Sequence, residues 1–344
     1  MTKGESGQAV VIVALLMVVV FGLAAVGVDI GAEVARGVKL QGAADAAALA
    51  GVTALAQNGD VTAAVDAYLQ ANGIPLSAVA SINNDPDNQT VTVALAEPNP
   101  FYFAPVLGFT TVTVKRSATA RLNAPQVFNY ALFSNEDLNL SQNKINVNGN
   151  AHSNSNVNIS TNNGYIQTTT EASGTINLSD INFQTTPVPN APVISMPDFS
   201  SQLLAQAQEA GQVYNGDYNI DDNNSTINGT IYVYGNVNIS TNNIKGNGSI
   251  FATGDISIST NNASFGAGYI GYYSQQNINI STNNLTGNGV LYAPNGAINI
   301  SANNIHIADG AIIGNSINLS TNTLEVDSSD LNSYILPRMA YLSN

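Results

Sequence analysis

The sequence predicts a multidomain chain: an N-terminal transmembrane or long α-helix, a small α+β domain, and a right-handed parallel β-helix (β-solenoid) with a helical insertion. Three observations predict it. From Ala9 to Val28 the chain reads AVVIVALLMVVVFGLAAVGV, without a charge. The octapeptide NVNISTNN occurs at residues 156–163 and again at 236–243, and variants begin at residues 255, 277, 297 and 316, with weaker copies from Asp137 and Thr175. Charged residues make up only 9 % of the chain, against about 25 % in an average soluble domain, and Asn, Ser, Thr and Gly carry the polarity instead.

The first element is the apolar run. As a helix, twenty residues span about 30 Å, the thickness of a bilayer hydrocarbon core. A cleaved secretory signal has a shorter apolar run and a small-residue cleavage site. The expectation is therefore a retained anchor over residues 1–30. Lys3 favours a cytoplasmic N-terminus, although Arg36 and Lys39 flank the other side. The polar composition of the repeats places the bulk of the chain outside the cytoplasm, on the cell surface or in the periplasm.

Residues 31–125 read as the small α+β domain. The Ala-rich segment from Gly31 to Gln57 is strongly helix-forming and continues the anchor as one rod. DVTAAVDAYLQAN, from Asp60, reads as a second helix stopped by Gly73 and Pro75. Alternating segments at 78–82 and 90–95, joined by NNDPDNQ, predict a hairpin. TVTVKRSATARL, from Thr111, is a third strand, and Phe101 to Phe109 is a short apolar segment of helical character. Lys115, Arg116 and Arg121 form a basic cluster, read as a solvated strand face, with an acidic or lipid-headgroup partner as the alternative. Asp85 and Asp87 fall in the hairpin turn, where calcium is the alternative to a plain turn.

Two stretches of this region also carry a resemblance. GQAVVIVALLMVVVFGLAAVGVDIG, followed by R-x-x-x-LQGAADAAALAGV, resembles the N-terminal region of TadE/TadG-like Flp (Tad) pilus-assembly proteins. The residues that carry it are Gly7, Gln8, Asp29, Gly31, Arg36, Leu40, Gln41 and the string from Ala43 to Gly51. The resemblance implies a protein anchored in the inner membrane or associated with a pilus, and exported through a type IV-like secretion system. Some family members are minor pilins or tip adhesins. Prepilin peptidase sites place a Glu inside the apolar helix, whereas Glu5 precedes the run here. The metal motif D-x-S-x-S of longer members is not matched by Asp327-Ser-Ser-Asp330.

Residues 126–329 form the predicted β-helix. Marks at Ser141, Ser160, Ser179, Asp221, Ser240, Ser259, Ser281, Ser301 and Ser320 are spaced by 19, 19, 42, 19, 19, 22, 20 and 19 residues. A short fixed period means stacked like units. The period-two alternation within each copy means a strand with one buried face, and S-T-N-N supplies turn chemistry. Stacked in chain order, Ile231, Ile250, Ile270, Leu291 and Ile312 line the core. Asn162, Asn242, Asn261, Asn283, Asn303 and Asn322 form a corner ladder of amides in register. The double interval holds an insertion at 183–213: a proline-rich segment, then a helix capped by Asp198 and ended by Gly211. Residues 330–344 are expected to cap the last coil.

Composition bounds the chemistry. With a net charge of −14 and nine Lys plus Arg, the chain repels phosphate backbones, so no nucleic-acid partner is expected. The absence of cysteine excludes disulfides, thiolate nucleophiles and Cys-ligated zinc. A β-helix polysaccharide lyase needs a base and cations, and a hydrolase needs paired carboxylates. The coils offer Lys144 and Lys245 as cations, and His152 and His306 lie eight coils apart in chain order, each read as a solvated strand residue. No catalytic, cofactor-binding or metal residue is therefore assigned, and no enzyme is expected. Two sites remain as candidates. Asp217, Asp221 and Asp222 are an acidic cluster for calcium. Tyr232, Phe251 and Tyr292 are an outward aromatic stripe for surface glycans, with packing beneath the inserted helix as the alternative.

The expected function is structural or adhesive, at the membrane and beside a Tad/Flp-type pilus or secretion system. The expected partners are the lipid bilayer or like subunits through the run from Ala9 to Val28, and pilus or secretion components. The first alternative is a filament-forming pilin-like subunit whose apolar helix packs in a filament core. The second is a carbohydrate-active β-helix enzyme.

Overall fold

The computed structural model describes residues 5–56, 59–86, 89–123, 125–179, 182–246, 248–331 and 339–343. They fall into two units: residues up to Asn123 together with those from Arg338 onward, and residues from Ala124 to Pro337.

In the first unit the anchor and the Ala-rich segment are one helix, α1 (Glu5–Ala56), of 52 residues. A straight helix of that length is about 78 Å long. Its two halves differ in what they touch. From Val10 to Val28 the large apolar side chains are 48–69 % exposed. Beyond that, Leu40, Ala43, Ala44, Ala47, Ala48 and Val52 are buried. They pack on α2 (Val61–Ala71), capped by the Asp60 carboxylate, and on a sheet of β1 (Val79–Asp85), β2 (Thr90–Pro100) and β3 (Thr111–Asn123). β1, β2 and β3 form the expected antiparallel meander. Gly51 is required at the closest approach. A Cβ there would lie 2.8 Å from Val91 Cγ1 and 2.9 Å from Val65 Cγ2.

One strand of this sheet corrects the sequence reading. Residues Met339–Ser343 pair antiparallel with β3, so this part of the expected C-terminal cap is instead the fourth strand of the first unit's sheet. The preceding residues 332–338 lie outside the described residues.

The second unit is the β-solenoid. Its first face carries short parallel crossings at 218–220, 237–239, 256–258, 278–280, 298–300, 317–319, 138–140, 157–159 and 176–178, in that spatial order. Chain order and stacking order therefore differ. The last coil lies on the first: Ile317 pairs with Leu138, Leu319 with Leu140, and the register continues to Asp327 and Asn148. At this seam Asn139, Gln142 and Asn143 donate to Asn318 Oδ1, the Leu319 carbonyl and Asn322 Oδ1 at 2.8–2.9 Å. The 42-residue interval marks where the chain leaves one end of the stack and restarts at the other.

The stack is about 38 Å long at eight steps of about 4.8 Å. A strap spans it, made of residues 190–199, which form no helix or strand, and helix α3 (Ser200–Ala210). Ten residues at full extension and an eleven-residue helix reach at most about 50 Å, enough for the crossing.

The interior is a column of aliphatic side chains, including Ile231, Ile250, Leu291 and Ile312. Tyr272, not Ile270, fills the remaining place, because Tyr272 pairs with Ile250 and Leu291. The coil between Ser259 and Ser281 is three residues longer than the coil before it and two longer than the coil after it, and bulges between Phe265 and Tyr269 and between Ile270 and Tyr272 absorb the excess. The Phe265 ring lies where a Cβ on Gly287 would otherwise project, so that position admits only glycine at this backbone spacing.

Both free ends of the stack carry features that oppose further strand pairing. The last strand at one end contains Pro187 and Pro189, and the rung at the other end contains Asp217, Asp221 and Asp222. Prolines and charges on edge strands block edge-to-edge growth. The capping expected of the C-terminus is met by residues from the middle of the sequence.

Candidate functional site: polar ladders, aromatic column and helix anchor

The solenoid's outer surface is organised by ladders. On the first face Asn238, Asn299, Asn318, Asn139, Asn158 and Asn177 each donate through Nδ2 to the Oδ1 of the Asn on the preceding rung, at 2.8–3.0 Å. Every donor points toward the same end of the stack, so the amides satisfy one another without charge. The predicted corner ladder is present for Asn261, Asn283, Asn303, Asn322 and Asn162, with Asn143 inserted where the seam crosses it. Two more ladders were not foreseen. Asn243, Asn262, Asn284 and Asn304 form one at the second position of the corner. At the start of each rung an Asp or Asn carboxyl or amide oxygen accepts a backbone N–H from the next: Asp217 from Asn236, Asn236 from Asp255, Asp255 from Asn277.

Shallow grooves run between these ladders. One is lined by Asn238, Ser240, Ser259, Asn279, Ser281 and Asn299. A second crosses the seam and is lined by Asn139, Ser141, Asn158, Asn177, Asn318 and Ser320. Ile239, Ile258, Ile280 and Ile300 run along the first groove and Leu140, Ile159 and Leu319 along the second. Asn amides and Ser hydroxyls thus stand at a fixed spacing over a largely apolar floor, and none of the described residues lining either groove is ionised. Such a surface can hydrogen-bond a neutral polar polymer. It offers no acid–base pair.

The acidic cluster does not assemble. Asp217 is committed to Asn236, whose N–H and Nδ2 it accepts at 2.9 and 3.1 Å. The strand Tyr218–Ile220 then separates it from Asp221 and Asp222, a run of about 13 Å at strand rise. Among the described residues no group of three or more His, Cys, Asp and Glu is placed to hold a metal ion. Asp85 ends β1, and Asp87 lies outside the described residues.

The aromatic stripe is likewise corrected. Tyr232, Phe251 and Tyr292 do share a face, with Tyr273 between the last two. They are 5, 2 and 0 % exposed, because the strap covers them. Tyr273 donates to Asp198 Oδ1 and Tyr292 to the Pro197 carbonyl, each at 2.5 Å. Phe128 and Phe199 stack against each other and both pack on Tyr292. Asp198 also accepts from the Ser200 N–H at the start of α3. Burial alone would raise its carboxyl, but the bonds from Tyr273 and Ser200 outweigh it and hold it below the ordinary carboxylate value. Burial pushes the Tyr273 hydroxyl far above the usual phenol range, and its bond to Asp198 adds to the effect.

The column continues across the seam into Phe133, His152 and Glu171. His152 is fully buried, contrary to its reading as a solvated residue. It stacks on Phe133 at 5.2 Å. Its Nε2 lies 2.9 Å from Asn154 Oδ1 and its Nδ1 3.3 Å from Glu171. Tyr130 and Thr169 donate to the two oxygens of Glu171. Asn154 in turn exchanges two bonds with the backbone of Ile194. The cluster thus fastens one end of the strap. His306 lies on another face, exposed and 3.1 Å from Glu325.

In the first unit the chemistry is that of attachment. Asp29 follows the apolar run directly and is 4 % exposed. Its carboxylate accepts the backbone N–H groups of Tyr102, Phe103 and Ala104 at 2.6, 3.1 and 2.8 Å. It thereby satisfies the open N-terminus of the 3-10 turn Ala104–Leu107. Arg36 pairs with Glu97 on β2, Gln41 bonds Asp45 and the Ser117 carbonyl, and the Arg116 guanidinium lies against Gly37. Lys115 and Arg121 are exposed.

Residues 7–58 match the model of the Flp pilus-assembly TadE/G-like family, Tad. The matched segment contains Asp29, Arg36, Gln41 and Gly51 as well as the buried Leu40, Ala43, Ala44, Ala47, Ala48 and Val52 through which α1 packs on the rest of its unit. No curated protein and no solved structure matches the chain.

Proposed function

We propose that the protein is a membrane-anchored component of a Flp (Tad)-type pilus or secretion system that displays a β-solenoid outside the cytoplasm in a structural or adhesive role. The observation that carries the proposal is the coincidence of two features on α1. The segment that matches the pilus-assembly family contains an apolar stretch, from Val10 to Val28, whose side chains have no protein cover. A helix of this length and composition is able to cross a bilayer. The uncharged ladder grooves favour a neutral polar partner such as a surface glycan over an ionic one, and that is the support for adhesion. No enzymatic role is proposed. Turnover of an acidic polysaccharide that vanished on replacing Asp217, Asp221 or Asp222 would overturn that part of the reading.

The test is fractionation of shearing-treated native cells, with N-terminal sequencing and protease added from outside. The expected result is retention in the membrane fraction, an intact α1, and a solenoid open to the protease. Recovery in sheared filaments would favour the pilin-like subunit instead. A solenoid protected in intact spheroplasts would contradict extracytoplasmic display.

A further inference from the structure

The loop between β2 and β3 is out of keeping with its surroundings. Tyr102, Phe103, Val106 and Phe109 are 50–90 % exposed, with Val106 at 90 %. Four large apolar side chains within eight residues, none of them buried, is a concentrated patch for so short a loop. The loop is nevertheless held in place. Asp29 takes three consecutive N–H groups from its backbone, so the loop cannot drift away from that point on α1. Asp29 is the first residue after the charge-free run, so it stands where a spanning helix leaves the hydrocarbon. The carboxylate makes its bonds inward to the loop, which leaves the apolar side chains directed away from the protein.

We propose that the Tyr102–Phe109 loop is a second membrane-contact element, seated in the interfacial layer of the lipid bilayer beside the exit of α1. The proposal rests on the reading of α1 as a membrane anchor. Tyr, Phe and Val suit this depth: aromatic rings favour the headgroup boundary, and short apolar side chains reach the upper acyl chains. The chemistry on either side agrees. From Ala9 to Val28 the helix below Asp29 carries no charge, and the charged residues Glu33, Arg36 and Lys39 begin one turn above it. The loop adds a lateral contact to a single helix, which otherwise leaves the unit free to rotate about one axis. The family-motif aspartate then acts as a positioning residue for lipid contact.

The sequence contains no tryptophan, so a single introduced Trp reports its own environment. Full-length Val106→Trp, Val18→Trp and Tyr68→Trp variants would each be reconstituted into phosphatidylcholine–phosphatidylglycerol vesicles. Bromines would be carried either near the headgroups or near the bilayer centre. Val106→Trp is expected to emit to the blue and to be quenched more by shallow bromines than by deep ones. Val18→Trp should show the reverse preference, and Tyr68→Trp on α2 should not be quenched. Combining Val106→Trp with Asp29→Ala should reduce the shallow quenching. If Val18→Trp is quenched and Val106→Trp is not, the loop proposal fails while the anchor stands. If neither is quenched, both fail. A blue-shifted but unquenched Val106→Trp whose shift disappears on diluting protein in lipid would mean that a second copy covers the patch, and would also overturn the proposal.

Discussion

Replacing Asp29 by Ala removes one carboxylate and leaves three backbone N–H groups, of Tyr102, Phe103 and Ala104, without their acceptor. A hydrogen bond to a charged group contributes about 1.5–3 kcal/mol net, but three bonds to one carboxylate do not add independently. The loop is also open enough for water to replace part of the loss. Loss of a helix cap, which is the closest measured analogue, costs about 0.5–2 kcal/mol. A local destabilisation of about 2 kcal/mol follows, at the upper end of that range because three donors share the acceptor. At 1.4 kcal/mol per tenfold, amide exchange in the loop should accelerate by about 30-fold. Asp29→Asn keeps a neutral oxygen acceptor and should give an intermediate acceleration. The assay is hydrogen exchange read by mass spectrometry on peptides covering residues 101–110, with peptides from α2 as the reference. Because the bonds are local, α2 should be unaffected. Unchanged exchange at Tyr102 to Ala104 in Asp29→Ala would refute the reasoning, and equal acceleration throughout the first unit would show that Asp29 supports the whole unit rather than the loop.

Two further outcomes follow from the solenoid. The Tyr272 hydroxyl is fully buried and has no hydrogen-bond partner among the described residues, so Tyr272→Phe should stabilise the protein by about 1 kcal/mol, seen as a higher denaturant midpoint at unchanged slope. Asp198, Asp137 and Asp327 all titrate below the ordinary value of 3.8. For Asp137 the Ser155 bond is the main cause; for Asp198 and Asp327 hydrogen bonds overcome burial. A depressed folded-state pKa contributes stability that is present above the unfolded value and lost as pH falls through the folded one. The unfolding midpoint should therefore be flat above about pH 5 and fall below about pH 4, and Asp198→Asn should flatten part of that fall.

Much of this architecture was legible in the sequence for direct physical reasons. A run of twenty apolar residues has few alternatives to a membrane-spanning or bundled helix. A 19-residue spacing with aliphatics in register is itself the geometry of a coil, so Ile239, Ile258 and Ile280 could be placed in the core. Packing of Tyr232, Phe251 and Tyr292 under the insertion is one of two readings, and the sequence has no means of choosing between them. The cover over Tyr292 is the segment Pro197–Phe199 ahead of α3 rather than the helix itself. The order of the coils was not legible. Every rung offers its neighbour nearly the same Asn and Ile positions, so Leu138 accepts Ile317 as readily as it accepts Val157. The signal lies in the 42-residue interval, since a segment that long is able to cross the whole stack. The spacing points to Ile270 rather than Tyr272 because the 22-residue coil shifts register where two bulges form. In the sequence Asp29 stands out only as part of a motif. Its partners lie more than seventy residues away, and nothing local announces them.

The seam between the first and last coils is the claim on which the second unit's architecture depends. It admits a direct measurement because the chain has no cysteine. Asn139 and Asn318 pair in register across the seam, about 4.8 Å apart, within the range of a disulfide. Full-length Asn139→Cys/Asn318→Cys should oxidise to an intramolecular disulfide, visible as a mobility change lost on reduction and as one cross-linked peptide by mass spectrometry. Asn177→Cys/Asn318→Cys, three rungs apart, should not. In a solenoid stacked in chain order the first pair would be separated by about 38 Å, eight rungs, and its failure to cross-link in folded protein would contradict the account.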